Sequence, residues 1–353
     1  MDADMETDKR IGWIDISKCL GIFLVVLCHC GLRTPFTQWV YSFHMPLFFF
    51  VSGMVYTRRG KFNEFLSRRF RQIMVPYFLF ALILCFGGQS YKDWVNILIA
   101  DRNSLSESAS FTPLWFLPCL FVSSVLMDIC SRLLGRSDAV VKGAVAALVV
   151  LGGFLISRTG ASPLPWSLDV ALVGFGFMWA GNQFRKLFDL HSDRLSPKRT
   201  GIIYVIVVCA LAAAGTILAF YNLPESLTPG CPHVEMSIGH YGNPLLFLFT
   251  ALALSLFIVL LSQCLEELFQ SLKLAWCRSR ILEIGRFSLG IMCIHGVVIV
   301  FLHSVLKHFG VMPNGWVILG EAILALIISY VAIYITIKFV PNLFGKFQEQ
   351  KHE

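Results

Sequence analysis

Residues 11–30 read IGWIDISKCLGIFLVVLCHC. As a helix, these twenty residues rise about 30 Å at about 1.5 Å each, the thickness of a bilayer's hydrocarbon core. Asp15, Lys18 and His29 interrupt a largely apolar run. Ionisable groups are costly inside a membrane, so they mark candidate sites. At about 100° per residue, placing Lys18 at zero puts His29 at about +20° and Asp15 at about +60°. The three share one stripe with Gly21, Ile22 and Val25. Lys18 and His29 lie about 16 Å apart along the axis, so acid and cation sit near one end and the imidazole deeper. The plainer reading is an Asp15–Lys18 pair at a membrane interface plus one core histidine.

Composition extends this reading to the whole chain. Soluble proteins are about 45–50% apolar and about 25% charged. Here the values are 56% and 14% over 353 residues, and the mean hydropathy is +0.69. Apolar runs recur near residues 11–31, 38–57, 73–88, 114–131, 139–157, 167–184, 201–221, 244–264, 282–306 and 316–340, with Gly87-Gly88 ending the short third run. The expectation is an all-α, polytopic transmembrane helical bundle of about ten spans. One transmembrane domain covers residues 11–340, between a short N-terminal segment at 1–10 and a tail at 341–353. The opening MDADMETDKR is acidic, and the apolar run after it lacks a small-residue cleavage site, so a signal peptide is not expected.

Charge supplies orientation. Of 29 Lys and Arg, 23 fall in the segments on the N-terminal side of the membrane; Arg33, Lys92, Arg102, Arg158 and Lys307 fall opposite, and Lys18 lies within the first span. The positive-inside rule then places both termini in the cytoplasm. The net charge of +7 reflects that topology, and the lipid bilayer is the partner it implies; nucleic acid is not needed to explain it. Most of the eleven cysteines lie inside or at the ends of apolar runs, with Cys231 in an outward loop, and no CxxC or Cys/His spacing points to a metal. No repeat of two halves is visible, which weighs against a transporter.

Three further stretches carry chemistry. Arg58, Arg59, Lys61, Arg68, Arg69 and Arg71 crowd fifteen residues between apolar runs, a basic loop able to hold a polyanion beside the membrane. On a helix Arg68 and Arg71 are neighbours and Arg69 is offset, toward lipid headgroups. In SFHMPLFFFVSG, residues 42–53, Pro46 removes a helical N–H, so His44 lies near a break. There it either lines a cavity or marks the outer interface. The loop from Asn222 to Asn243 has no Lys or Arg but contains Glu225, His233, Glu235 and His240 among Pro and Gly, consistent with a lid or an acceptor-facing loop. Asp169, His240, Asn243 and Glu321 fall near the outer ends of their spans, as capping residues or as groups that orient an acceptor.

Asp15-(x2)-Lys18-(x10)-His29, SFHMPLFFFVSG at 42–53 and RRFRQIMVPY at 68–77 together resemble the acyltransferase-3 family of integral membrane acyltransferases. PLWFL at 113–117, YGNPLLF at 241–247 and IGRFSLGIMCIH at 284–295 follow in the family's order, with the fucose 4-O-acetylase-like branch nearest in flavour. The resemblance implies transfer of an acyl group, usually acetyl, from acetyl-CoA or another acyl-CoA to a hydroxyl of a sugar or envelope glycan. It also implies the cytoplasmic (inner) membrane of a bacterium and no metal.

Residue by residue, the resemblance makes His29 the catalytic intramembrane histidine and places His295 in a late serine/histidine element; His44 and His295 are candidate second proton carriers, and Asp15, on the stripe of His29, joins the catalytic candidates. Ser288 lies seven residues before His295 in that element. Lys18, Arg68 and Arg71 fall at donor-binding positions, Arg68 and Arg71 in an Arg-x-x-Arg element, and Ser52-Gly53 in the small-residue element ending the second helix. At position 18 the family usually carries Arg; Lys keeps the charge and loses the planar fork. Chemically, a neutral imidazole removes the acceptor's proton as it attacks the thioester, either directly or through an acyl-histidine. The alternative reading is a subunit exporting polysaccharide or lipid-linked glycan.

Overall fold

A computed structural model of the chain describes residues 11–31, 35–85, 91–100, 112–135, 137–159, 163–191, 201–222, 233–340 and 343. Residues 1–10, Arg33, Gly87-Gly88, Arg102, Glu225, Cys231 and all of the tail except Leu343 lie outside the described residues.

The described residues form a helical bundle. Its helices are α1 (Gly12–His29), α2 (Pro35–Tyr41), α3 (His44–Met54), α4 (Phe62–Arg69), α5 (Val75–Cys85), α6 (Tyr91–Ile99) and α7 (Phe116–Leu133). The second half has α8 (Ala139–Arg158), α9 (Leu168–His191), α10 (Ile202–Tyr221), α11 (Pro244–Ser271), α12 (Ala275–Arg286), α13 (Ser288–His308) and α14 (Gly315–Phe339). Among the described residues, seven stretches are long and apolar enough to cross a membrane: Gly12–His29, Thr112–Leu133, Ala139–Arg158, Ile202–Tyr221, Pro244–Ser271, Ser288–His308 and Gly315–Phe339.

The other three expected spans take different forms. Residues 38–57 are split at Ser42-Phe43 into α2 and the eleven-residue α3. Residues 73–88 start in a π-helical turn, Phe70–Met74, that joins α4 to the eleven-residue α5. Residues 167–184 begin at the end of a 3-10 turn, Pro165–Ser167, and continue in the 24-residue α9, whose later turns carry Asn182, Gln183, Arg185 and Lys186. Pro46 does not kink a span. It sits in the first turn of α3, where a missing N–H is tolerated, and the break falls just before His44.

Three backbone approaches set the packing. A Cβ on Gly53 of α3 would lie 1.8 Å from the Met178 carbonyl oxygen of α9, and one on Gly181 would lie 1.9 Å from the Phe50 carbonyl oxygen. Helices in a membrane gain by such contact, because lipid tails are as apolar as leucine and only close packing favours association. At α12, a Cβ on Gly285 would meet the Asp15 carbonyl oxygen at 1.9 Å, which clamps α12 against the first turns of α1. The core between these contacts is aromatic: Phe49, Phe50, Phe116, Phe175, Phe177 and Phe247 are all buried.

Gly53→Ala is therefore expected to destabilise the bundle by about 3 kcal/mol, at the upper end of overpacking costs. Thermal unfolding in detergent checks this against Gly152→Ala, where a Cβ meets nothing within 4 Å. Equal midpoints for the two variants would remove the α3–α9 contact as a constraint.

Candidate active site

α1 delivers His29 at its last residue and α13 delivers His295 two turns from its start. Their rings are stacked with centroids 5.0 Å apart, and His295 Nε2 lies 3.0 Å from His29 Nδ1. The surroundings fix which nitrogen carries each proton. His295 Nδ1 lies 3.1 Å from the Ile291 carbonyl and 3.0 Å from the Met292 carbonyl. Carbonyls only accept, so His295 Nδ1 is protonated, and in a neutral ring Nε2 is bare. His295 Nε2 then accepts from His29 Nδ1–H, which leaves His29 Nε2 as a bare nitrogen. The chain runs from backbone carbonyl through His295 to His29, the arrangement by which a second group sets the tautomer of a base.

His44 repeats the logic. Its Nδ1 lies 2.9 Å from the Val40 carbonyl, so Nδ1–H donates and Nε2 is bare. His29 and His44 line one cavity of about 60 Å³ with Val25, Tyr41, Met45 and Met292. Thr112, Pro113 and Trp115 close it from the turn before α7, and Glu235, Met236 and Ser237 close it from the segment before α11. Tyr41 stands edge-on to both His44, at 4.9 Å, and His233, at 4.3 Å. Ser237 Oγ donates to Glu235 Oε1 at 2.8 Å. Burial lowers the His233 imidazole below its ordinary value, Glu235 pulling the other way.

Sequence reasoning reached His29, His44 and His295, and the structure brings all three together. It placed His233 and Glu235 in a lid or acceptor-facing loop but missed Tyr41, Thr112, Trp115 and Ser237 as wall residues. PLWFL was the available signal for Trp115, whereas nothing in the sequence ties Tyr41 to position 233. Ser288 is buried at the start of α13, seven residues before His295, about 10 Å along the axis.

The cations gather elsewhere. Asp15 lies fourteen residues before His29, about 21 Å along α1, and does not join the histidines. Its carboxylate accepts from Lys18 Nζ at 3.3 Å and lies 3.8 Å from Arg286 Nε, so acid and both cations knit α1 to α12. Arg68 and Arg71 are exposed; Arg68 stands over the Phe65 ring and Arg71 Nη2 donates to Ser67 Oγ at 2.9 Å. Arg69 also stands over the Phe65 ring, at 5.7 Å. It is half-buried, and its Nε is buried with no partner among the described residues. Burial, with Arg68 beside it, lowers Arg69 to about 10, still charged at neutral pH.

A network at the same end was not legible. Tyr56 Oη donates to Asp128 Oδ1 at 2.8 Å, and Arg132 Nε donates to Asp128 Oδ2 at 2.5 Å. Asp128 and Trp115 are thirteen residues apart through α7, so the arginine end and the histidine cavity are separated by about 20 Å. Of the remaining expected polar groups, Asn243 and Asp169 hold local structure. Asn243 Oδ1 accepts from Leu245 and Leu246 N–H as the α11 cap, and Asp169 Oδ1 accepts from Leu164 N–H at 3.4 Å. Glu321 Oε2 lies 3.6 Å from His303 Nε2. Among the described residues, no cluster of three His, Cys, Asp or Glu is placed to hold a metal ion.

Asp15→Asn is expected to cost roughly 1–3 kcal/mol, the worth of charge-assisted bonds lost from a buried carboxylate. A lower thermal midpoint, with Lys18→Met costing less, checks it. An unchanged midpoint would free Asp15 from the structural ion pair.

Comparison with known proteins finds no match among curated proteins and none among solved structures. A family model described as an acyltransferase domain does match, over residues 11–337. That span takes in every helix that builds the histidine cavity and both ends of the bundle. The chain belongs to the acyltransferase-3 family, and is a multi-pass membrane acyltransferase.

Proposed function

We propose that this protein moves an acyl group, acetyl first among the options, from acyl-CoA to a hydroxyl of a sugar or cell-envelope glycan in the cytoplasmic membrane of a bacterium. The observation that carries the proposal is the His29–His295 pair beside a cavity, with His29 Nε2 left bare. A hydroxyl is a poor nucleophile at neutral pH, and an unprotonated imidazole placed at the cavity wall is the base it needs.

In this reading His29 Nε2 takes the hydroxyl proton as the oxygen attacks the thioester carbonyl. The charge that arrives on His29 is shared through the Nδ1–H bond to His295. The proton then passes to the departing thiolate, so the products are an ester and a free thiol. His44 offers a second bare nitrogen in the same cavity and orients the acceptor. At about 60 Å³ the cavity holds a few waters, so an acceptor enters by moving Glu235–Ser237 aside.

The donor is assigned to the other end. The 23-to-5 bias of cations supports a cytoplasmic location for Arg68 and Arg71. Their exposed guanidinium groups, with Lys18, suit the phosphates of coenzyme A. The thioester arm of acyl-CoA, long and thin, covers the distance to the histidines.

Labelled acetyl-CoA supplied to membranes, with transfer into glycan as readout, tests the reading. His29→Ala is expected to lower turnover about 100-fold or more, in line with loss of a general base. His295→Ala is expected to lose about 10-fold or more, while His295→Gln, which keeps an acceptor for His29 Nδ1–H, recovers part of it. Transfer at the wild-type rate in His29→Ala would end the proposal.

Arg68→Ala and Arg71→Ala are expected to raise the Michaelis constant for acyl-CoA about 10-fold, or about 1.4 kcal/mol each, with turnover little changed. Unaltered acyl-CoA kinetics in the double variant would take the donor away from this loop.

A further inference from the structure

The segment from Glu235 to Asn243 has two faces. Its first residues wall the histidine cavity, and its later ones, with the end of α8, wall a separate cleft of about 470 Å³. That volume falls among small-molecule sites, about 300–1,000 Å³. The lining includes Ser157, Arg158, His240, Tyr241 and Pro244. Among the described residues no carboxylate lines it, and Arg158, exposed at the last residue of α8, makes no ion pair. His240 Nδ1 is buried without a hydrogen-bond partner among the described residues.

The cleft is built rather than incidental. Asn222 Nδ2 donates to the Tyr241 carbonyl at 2.9 Å, and Asn243 N–H donates to Asn222 Oδ1 at 2.8 Å. Gly242 holds φ +63°, and a Cβ there would lie 2.3 Å from Asn222 Oδ1, so only glycine lets the turn close on its latch. Tyr241 packs edge-on to Phe154 at 4.9 Å, which fixes the wall beside Arg158. Pro244 opens the 28-residue α11, whose positive dipole end adds to the field of Arg158.

We propose that this cleft binds a phosphate ester, with Arg158 as its charged anchor and His240 as a second polar contact. The phosphate comes either from a lipid headgroup or from the polar part of the acyl acceptor. Glu235 and His240 exchange backbone hydrogen bonds at 2.8 and 3.0 Å. Occupancy of the cleft therefore bears directly on the residues that cover His29. This binding claim stands apart from the acyl-transfer reading; only the acceptor source of the phosphate rests on it.

Hydrogen exchange of residues 233–247, measured on the full chain in phosphate-free maltoside micelles, provides the test. Glucose 1-phosphate, phosphatidylglycerol and methyl glucoside are added separately. A phosphate ester is expected to slow exchange in this segment about 5-fold or more, as ligation closes a local opening. Slowing by glucose 1-phosphate identifies a soluble phosphate ester, and slowing by phosphatidylglycerol identifies a headgroup. Either effect should vanish in Arg158→Gln and return in part in Arg158→Lys. The proposal is overturned by no slowing with either phosphate, by equal slowing with methyl glucoside, or by slowing that survives Arg158→Gln. None of these readings depends on acyl-CoA turnover, so failure here and failure of the His29 assay are separable.

Discussion

The hydrogen bond from His29 Nδ1 to His295 Nε2, at 3.0 Å, is the contact around which the site is arranged. An imidazole inside an apolar bundle has little water to satisfy it, so each nitrogen must be matched by the protein or left facing a cavity. The Ile291 and Met292 carbonyls of α13 commit one nitrogen of His295, His295 commits one of His29, and the last nitrogen is left over for chemistry. The tautomers follow from acceptors that cannot donate. The bond requires the end of α1 beside α13, and the Gly285–Asp15 approach holds α1 at its other end.

Polarity is divided along the bundle. The Tyr56–Asp128–Arg132 network, the Asp15–Lys18–Arg286 cluster and the exposed arginines lie toward one end, and the histidines toward the other. The π-helical turn after Arg69 lies between α4, whose one buried side chain is Phe65, and α5. Such turns widen the helix by one residue and recur at functional sites. Here it separates the helix bearing Arg68 from the apolar continuation that packs Tyr77 into the core.

Much of the helical fold could be read from apolar runs, because span length is a property of single segments. What a run cannot show is a break inside it: Ser42-Phe43 divides an apolar stretch that hydropathy scores as continuous. Helical arithmetic separated His29 from Asp15 along the axis, and the two lie at opposite ends of α1, yet the shared stripe drew Asp15 into the catalytic set. An angle about an axis says which residues face together, and depth decides which can meet. Arg69 shows the same limit, since periodicity offset it from Arg68 but could not say whether that face met lipid or protein. The partner of His29 is 266 positions away, a pairing that no local pattern contains; only family resemblance singled out His295.

The two bare nitrogens in one cavity constrain the chemistry. If His29 Nε2 acts as the base, the acyl group passes directly to the hydroxyl and one lone pair suffices. If His29 instead attacks the thioester, its lone pair is spent on the new bond, and a different group must take the hydroxyl proton in the second half of the reaction. His44 Nε2 is the bare nitrogen available in the same cavity for that role. His44 is therefore the residue on which the two routes differ. In direct transfer its loss disturbs acceptor position alone, whereas in the covalent route its loss leaves an acyl-His29 waiting for a base.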